Sequence, residues 1–216
     1  MFSRKDLIFS LITGFYAGFI AWRILDFLNT PLLKGISFAW LMVWVPVLWI
    51  LGVNLGYFLG KWFIFFNQFG KFAAIGFTNA AVDFGVLNLL IFYSGITSGI
   101  LFPVFKGISF FFGTIHSYFW NKYWAFSAEG GSLPVGRRGA SGEKANKISG
   151  QEFSKFFAIT FIAILINVTA ASIVVNFIGP QFGLTSEAWA NVGAVIGSAV
   201  ALVVSFIGFK VAVFKK

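Results

Sequence analysis

The sequence predicts an all-α integral membrane protein with six transmembrane helices. Of its 216 residues, 58% are hydrophobic and only 11% are charged, whereas soluble domains contain about 25% charged residues. The apolar residues form runs of about 20, which is the length that crosses a hydrocarbon core as a helix. Because a backbone in lipid must satisfy its own hydrogen bonds, we expect helices in spite of the aromatic and β-branched content.

The polar residues divide the chain into six apolar segments. The predicted spans are approximately Leu7–Leu28, Ile36–Gly60, Phe72–Ser94, Val104–Trp120, Phe156–Ile178 and Ala188–Phe209. No small-residue cleavage site follows the first segment, so we expect an uncleaved helix rather than a signal peptide. Residues 61–71 mix aromatic and basic side chains, which is typical of an interfacial linker. The Gly-, Ser- and Lys-rich stretch at about 127–155 predicts a mobile cytoplasmic loop, which is either a spacer or a basic arm that contacts anionic headgroups or a partner.

The basic residues indicate how the helices are oriented. Of the 16 Lys and Arg residues, 13 lie outside the apolar segments, on the side of the membrane that holds the N-terminus. The other three are Arg23, Lys34 and Lys106. This bias predicts cytoplasmic N- and C-termini. The net charge of +9 does not predict nucleic acid as a partner, because the basic residues lie between apolar runs rather than on a folded face.

A weak internal repeat divides the six helices into two groups. At a shift of 84 residues, Phe69, Lys71, Phe72 and Asp83 fall on Phe153, Lys155, Phe156 and Asn167; at a shift of 88, Ser117, Lys122 and Phe126 fall on Ser205, Lys210 and Phe214. We therefore expect a four-helix core of two repeated helical hairpins at residues 69–216, with parallel repeats. Residues 1–68 would form an added N-terminal hairpin and its linker. Its small-residue faces are expected to be packing surfaces; they consist of Gly14, Gly18, Gly52, Gly56 and Gly60.

Asp83 is the main polar signal within a predicted helix. A carboxylate near the middle of a span costs about 2.5–3.5 kcal/mol on insertion scales, and Asn79 lies one turn earlier on the same face. Asn167 holds the equivalent place in the second repeat. Two interpretations remain open. One is an interhelical hydrogen-bond clamp, and the other is a polar cavity for a substrate head group or a coupling proton.

A second polar group lies where the fourth segment meets the predicted cytoplasmic interface. Trp124 and Lys122 fit an ordinary interfacial belt, but the Asn121 amide and the Lys122 ammonium together could hold a lipid phosphate. His116 is either a hydrogen-bonded helix residue or a proton relay. Lys106 is either a snorkelling side chain or a phosphate contact at the outer surface.

Two stretches of this sequence carry a family resemblance. Lys71-Phe-Ala-Ala-Ile-Gly-Phe-Thr-Asn-Ala-Ala-Val-Asp-Phe-Gly-Val-Leu-Asn-Leu-Leu90 and Asn121-Lys-Tyr-Trp-Ala-Phe126 resemble the GtrA-like family of four-helix bacterial membrane proteins. The matching positions are Gly76, Asn79, Asp83, Asn121, Lys122, Trp124 and Phe126. Ala125 departs from the usual Thr, the 127–152 loop is longer than usual, and the N-terminal hairpin lies outside the core. The resemblance implies a role in moving polyprenyl-phosphate-linked sugars across the cytoplasmic membrane, beside a glycosyltransferase that makes them.

The leading hypothesis is a lipid-linked sugar flippase. Its expected partners are membrane lipid, a polyprenyl-phosphate sugar and a membrane glycosyltransferase. A second copy of the chain, forming a homodimer, is a further candidate partner. The candidate substrate-binding residues are Asn79, Asp83, His116, Asn121, Lys122, Trp124 and Asn167. One alternative is a non-transporting subunit that anchors a glycosyltransferase. A proton-coupled exporter would rest on Asp83 alone. With no Cys and one His, no nucleophile–base arrangement and no phosphate-binding loop motif, we expect no enzyme activity, cofactor or metal site.

Overall fold

The computed structural model describes residues 2–32, 35–63, 66–125 and 150–212, without the side chains of Lys122, 150–160 and 202–212. Within these ranges the chain forms six α-helices and no β-strand, which confirms the predicted all-α class. The helices are α1 Arg4–Phe27, α2 Leu41–Leu59, α3 Phe66–Ser94, α4 Leu101–Trp120, α5 Gly150–Ile173 and α6 Ser186–Ala212. A 3-10 turn at Phe38–Trp40 precedes α2, and π-helical turns at Asn121–Ala125 and Val174–Ile178 follow α4 and α5.

Each predicted segment corresponds to one helix, and the boundaries differ by a few residues. The largest differences are at the starts of α3 and α5, which begin at Phe66 rather than Phe72 and at Gly150 rather than Phe156. The helix α3 so includes part of the expected interfacial linker. The helices α2 and α3 pack closely near this start, since a Cβ added to Gly70 would lie only 2.8 Å from the Gly52 carbonyl oxygen. The helix α5 begins at Gly150, while the rest of the predicted mobile loop, residues 127–149, lies outside the described residues.

The helices make this chain a multi-pass membrane protein. Four helical segments in the described ranges are long and apolar enough to cross a bilayer: Arg4–Phe27, Phe38–Leu59, Phe66–Ser94 and Phe161–Ile178. The helices α4 and α6 are not among these four segments. The count of six spans and the cytoplasmic placement of both termini therefore stay predictions.

The chain divides into two compact units. The first comprises Met1–Asn88 with Phe111–Val135, and the second comprises Leu89–Phe110 with Gly136–Lys216. The helices α3 and α4 contribute to both units. The predicted domain boundary after residue 68 and the predicted repeat of two hairpins stay predictions.

In the first unit, glycines bring α1 against α2. A Cβ on Gly14 would lie 2.5 Å from the Cα of Pro46, and one on Gly18 would clash with the Leu41 carbonyl oxygen. These backbones therefore touch where the sequence predicted a packing face. Pro46 is buried within α2 at this contact.

In the second unit, α5 packs closely against α6. A Cβ on Gly197 would lie 2.5 Å from the Asn167 carbonyl oxygen. The Trp189 indole N–H donates to the Val174 carbonyl at 3.0 Å, which satisfies one backbone acceptor of the π-helical turn. The Asn176 side chain accepts from the Gly99 N–H at 2.6 Å and donates to the Gly99 carbonyl at 3.2 Å, so it ties the loop before α4 to this turn.

Candidate functional site

The predicted site residues fall into three groups in the structure. Asn79, Asp83, His116, Asn121 and Trp124 belong to the first unit, and Asn167 belongs to the second. The Lys122 side chain lies outside the described part of the chain. Within the first unit, the polar side chains form two layers along the helices. The layer around Asp6, near the start of α1, is called the outer layer, and the layer around His116, further along the helices, is called the inner layer.

Asp6 begins the outer layer as part of the N-terminal cap of α1. The Asp6 backbone N–H donates to Ser3 Oγ at 3.2 Å, while the Ser3 backbone N–H and hydroxyl donate to Asp6 Oδ2 at 3.0 and 2.9 Å. This reciprocal capping box satisfies backbone donors that would otherwise be unpaired at the helix start. It also holds the carboxylate in one orientation, with its other oxygen directed towards α3.

Lys71 of α3 forms a buried ion pair with that carboxylate. The Lys71 Nζ lies 2.7 Å from Asp6 Oδ1, and the two side chains are 3% and 2% exposed. Lys71 lies in the stretch that the sequence predicts to be an interfacial linker, and the sequence predicts no role for Asp6. The Ser3-x-x-Asp6 capping pattern could have indicated that Asp6 is ordered, but nothing local in the sequence indicates its cationic partner.

Two further donors complete the environment of Asp6. The Trp124 indole N–H donates to Oδ1 at 3.0 Å, and the Tyr57 hydroxyl donates to Oδ2 at 3.0 Å. The Lys71 ammonium also lies 5.4 Å from the centre of the Tyr57 ring, within cation–π distance. The carboxylate is thus held by an ammonium, an indole, a phenol and the Ser3 cap. Tyr57 was not a predicted site residue.

The π-helical turn after α4 positions Trp124. Trp124 and Ala125 have no exposed surface, whereas the neighbouring Tyr123 is 53% exposed. Such a turn widens the helix by one residue and redirects the side chains that follow, and it occurs often at functional sites. The interpretation of Trp124 as an interfacial belt residue is therefore wrong, because its ring packs in a buried cluster with Val53 and Ile75.

Asn121 precedes Trp124 in the same turn. Its side-chain N–H groups donate to the Ser117 carbonyl at 2.9 Å and to the Ser117 hydroxyl at 3.1 Å. Its Oδ1 is buried and accepts no hydrogen bond from the described residues. A phosphate would need the N–H donors rather than this acceptor, so the predicted phosphate contact would require Asn121 to release Ser117.

The inner layer joins three helices through His116. The Tyr16 hydroxyl of α1 is hydrogen-bonded to His116 Nε2, and His116 Nδ1 is hydrogen-bonded to Asn79 Oδ1 of α3. Eight residues separate Lys71 from Asn79, and eight separate His116 from Trp124, so the layers are about 12 Å apart along each helix. His116 is therefore hydrogen-bonded to partners from two other helices, and its role as a structural residue or as a proton relay stays a prediction.

Asp83 lies one turn beyond Asn79 and is 6% exposed. A Cβ on Gly113 would lie 3.3 Å from both the Asn79 carbonyl oxygen and the Asp83 Cβ. The absence of a side chain at Gly113 therefore lets α4 approach the polar face of α3. The predicted juxtaposition of Asn79 and Asp83 lies on the side of α3 that meets α4.

Aromatic rings connect the two polar layers. On α4, the ring centroids of His116 and Trp120 are 6.1 Å apart, and those of Trp120 and Trp124 are 6.3 Å apart. Phe9 of α1 packs edge-on against both tryptophans at 5.2 and 5.9 Å. One face of α4 therefore presents an aromatic column, and α1 covers it.

The second unit contains its own buried polar residues. Asn167 has no exposed surface, its Nδ2 donates to Ser198 Oγ at 3.1 Å, and its Oδ1 has no partner among the described residues. Lys106 is also fully buried, with its Nζ 5.8 Å from the centre of the Phe110 ring. Of the two interpretations of Lys106, snorkelling to the surface is therefore wrong, because the side chain is enclosed by protein.

The described residues contain no group of three or more His, Asp or Glu side chains that could hold a metal. A family model described as the transmembrane domain of GtrA/DPMS matches residues 71–214. The match begins at Lys71 and includes both polar layers' residues from α3 and α4. No curated protein and no solved structure gives a significant match.

Proposed function

The chain belongs to the GtrA/DPMS transmembrane family, and from this premise we propose that it moves a polyprenyl-phosphate-linked monosaccharide across the cytoplasmic membrane of a prokaryotic cell. The translocated sugar would then be used for cell-surface polysaccharide or glycan synthesis. The prenyl tail can remain in lipid throughout, but the sugar and phosphate cannot enter bare hydrocarbon without hydrogen-bonding partners. The protein must supply those partners.

The observation that carries this proposal is the inner polar layer inside the apolar helices. Asn79 and His116 can each donate and accept hydrogen bonds, and Asp83 accepts them when ionised. Sugar hydroxyls both donate and accept, so this set matches their chemistry. Polar and ionisable residues within spans are costly and commonly mark a substrate path.

Movement down a concentration gradient needs no nucleotide or ion coupling in this proposal. A membrane glycosyltransferase would synthesise the lipid-linked sugar on one face, and use of the sugar on the other face would maintain the gradient. The chain itself would catalyse no bond formation. The candidate residues Asn121, Lys122 and Trp124 of the first unit would contact the head group at other points of its path, and Asn167 is a separate candidate in the second unit.

Translocation in proteoliposomes tests the proposal directly. Purified full-length chain would be reconstituted with a labelled polyprenyl-phosphate sugar, and its appearance in the opposite leaflet would be measured over time. We expect Asp83→Asn to slow translocation about tenfold or more, since a lost charge-assisted hydrogen bond is worth about 1.5–3 kcal/mol. Asp26→Asn is the control because Asp26 pairs with Arg23 at an exposed site, where both side chains are 55% exposed.

Each other outcome favours a different function. Wild-type protein that is inactive alone and restored only by a glycosyltransferase would favour the anchoring-subunit alternative. Translocation that is normal in Asp83→Asn would remove Asp83 from the path. A proton-driven flux of small cations that is independent of polyprenyl lipid and lost in Asp83→Asn would favour the exporter instead.

A further inference from the structure

We propose that the donors around Asp6 form a binding site for a lipid phosphate, and that the Asp6 carboxylate occupies this site when no lipid is bound. This inference adds a phosphate subsite to the proposed function and rests on that function only for the identity of the lipid. The site consists of the Lys71 ammonium, the Trp124 indole N–H and the Tyr57 hydroxyl, whose contacts with Asp6 are 2.7–3.0 Å long.

The chemistry of the three donors suits a phosphate as well as it suits a carboxylate. Both anions are bound by short, charge-assisted hydrogen bonds from several directions. Lys71 supplies the charge, while Trp124 and Tyr57 supply neutral donors from two other elements. The indole N–H and the phenol O–H each need an acceptor, and here the acceptor is the Asp6 carboxylate of α1.

Two of the three donors come from a different part of the chain than the anion, while Tyr57 lies in the N-terminal hairpin with Asp6. Lys71 and Trp124 lie inside the segment that matches the family, residues 71–214, whereas Asp6 and its Ser3 cap lie outside it. The family segment therefore contributes a buried cation and an indole N–H that need an anion. In this chain the N-terminal hairpin provides that anion, and a substrate phosphate would be the equivalent intermolecular one.

The same helix also covers the inner layer. Tyr16 of α1 is hydrogen-bonded to His116, and Phe9 of α1 packs on Trp120 and Trp124. Thus α1 contributes the Asp6 carboxylate to the outer layer and the Tyr16 hydroxyl to the inner layer, which is proposed to bind sugar. Exchange of Asp6 for a phosphate would loosen the first turn of α1, and no covalent bond would be made or broken.

The first test measures binding of citronellyl phosphate, a short prenyl phosphate, to the detergent-solubilised full chain by calorimetry. Asp6→Asn removes the competing charge but keeps the side-chain shape. If Asp6 occupies the site at least nine-tenths of the time, this variant should bind about tenfold more tightly or better. Adding Lys71→Gln should abolish the gain, and Asp26→Asn should match the wild type. Binding by Asp6→Asn that is no tighter than wild-type binding would overturn the proposal.

A second test keeps Asp6 in place, so it decides the matter even if Asp6→Asn does not fold. The chain contains no cysteine, and Ser10, one turn after Asp6, has no exposed surface. A Ser10→Cys variant should react slowly with a maleimide, and citronellyl phosphate should accelerate labelling several-fold. The uncharged alcohol citronellol should not. Ser98→Cys, at an exposed position, should react equally fast in each case, and labelling of Ser10→Cys that ignores the phosphate would refute the displacement.

Further ligands identify the source of the phosphate. Preference of Asp6→Asn for citronellyl phosphate over inorganic phosphate and over phosphatidylglycerol in vesicles supports a prenyl substrate. An equal gain for phosphatidylglycerol supports an anion site that takes ordinary phospholipid. Tighter binding of citronellyl phosphate by Asp6→Asn, without any translocation by the wild type, would support the phosphate site and refute the proposed function. Normal translocation, with no effect of Asp6→Asn on binding, would refute only the site.

Discussion

Asp6 combines a local role with a long-range one. Its carboxylate caps α1 through Ser3 and binds Lys71, 65 positions later in the chain. A buried ion pair gives little stability relative to well-packed apolar residues, but removal of one partner leaves a buried charge uncompensated. The stability of the single variants Asp6→Asn and Lys71→Met should therefore differ strongly from that of the double variant.

At this residue scale, Lys71→Met should destabilise the chain by about 3–5 kcal/mol, since Asp6 is left buried without its cation. The measurement is the midpoint of thermal or denaturant unfolding in detergent. The double variant Asp6→Asn with Lys71→Met should recover a large part of the loss, because residues in direct contact are not additive. The control Asp26→Asn should change stability by at most about 1 kcal/mol, as exposed pairs do. A double variant that is as unstable as the sum of the singles would contradict the coupling.

Local spacing predicted some polar residues well and others not at all. The i, i+4 spacing placed Asn79 and Asp83 on one face of a helix, and that face meets α4 at Gly113. The pairing of His116 with Tyr16 and Asn79 was not predictable, because it depends on which helices become neighbours. The roles of these residues in binding substrate stay predictions.

At the scale of helices, glycines decide how closely neighbours approach. The sequence predicted packing faces in the N-terminal hairpin, and Gly14 and Gly56 have backbone atoms of a neighbouring helix within 3 Å of an added Cβ. A Cβ on Gly52, by contrast, would meet nothing within 4 Å. Glycines of the same helical hairpin therefore differ in whether they leave space for a side chain.

Gly14→Val should separate α1 from α2 and cost about 1–3 kcal/mol through overpacking, because the obstacle is the Pro46 backbone rather than a flexible side chain. Gly52→Ala should be neutral or stabilise the helix by about 0.5–1 kcal/mol, since Gly is the weaker helix former. Unfolding midpoints of both variants in one detergent provide the measurement. Equal effects at the two positions would show that the α1–α2 contact does not limit the side chain at residue 14.

The π-helical turn at Asn121–Ala125 could not be predicted from the sequence. The predicted fourth span ended at Trp120, and the residues after it were expected at the membrane interface. The extra residue per turn instead brings Trp124 inwards to Asp6. Its position depends on the buried contacts of the indole, which no local propensity encodes.

At the scale of the whole molecule, the orientation of the chain is a prediction that single cysteines can test. Because the sequence contains no cysteine, a cysteine appended at either terminus should react only with a reagent that reaches the cytoplasmic face. Ser98→Cys, in the loop before α4, should react only from the opposite face if the positive-inside bias sets the topology. Termini labelled from opposite faces would require an odd number of spans.

The sequence by itself determined the helical class, the approximate positions of six helices and membership of the GtrA/DPMS family. These properties are local, because an apolar run in lipid must satisfy its backbone within one helix, and a family motif is read along the chain. Only the tertiary structure decided the partners of the buried polar groups: Asp6 with Lys71, Tyr16 with His116, and the enclosure of Lys106. Those pairings depend on distances between helices, and residues far apart in sequence become neighbours only when the helices pack.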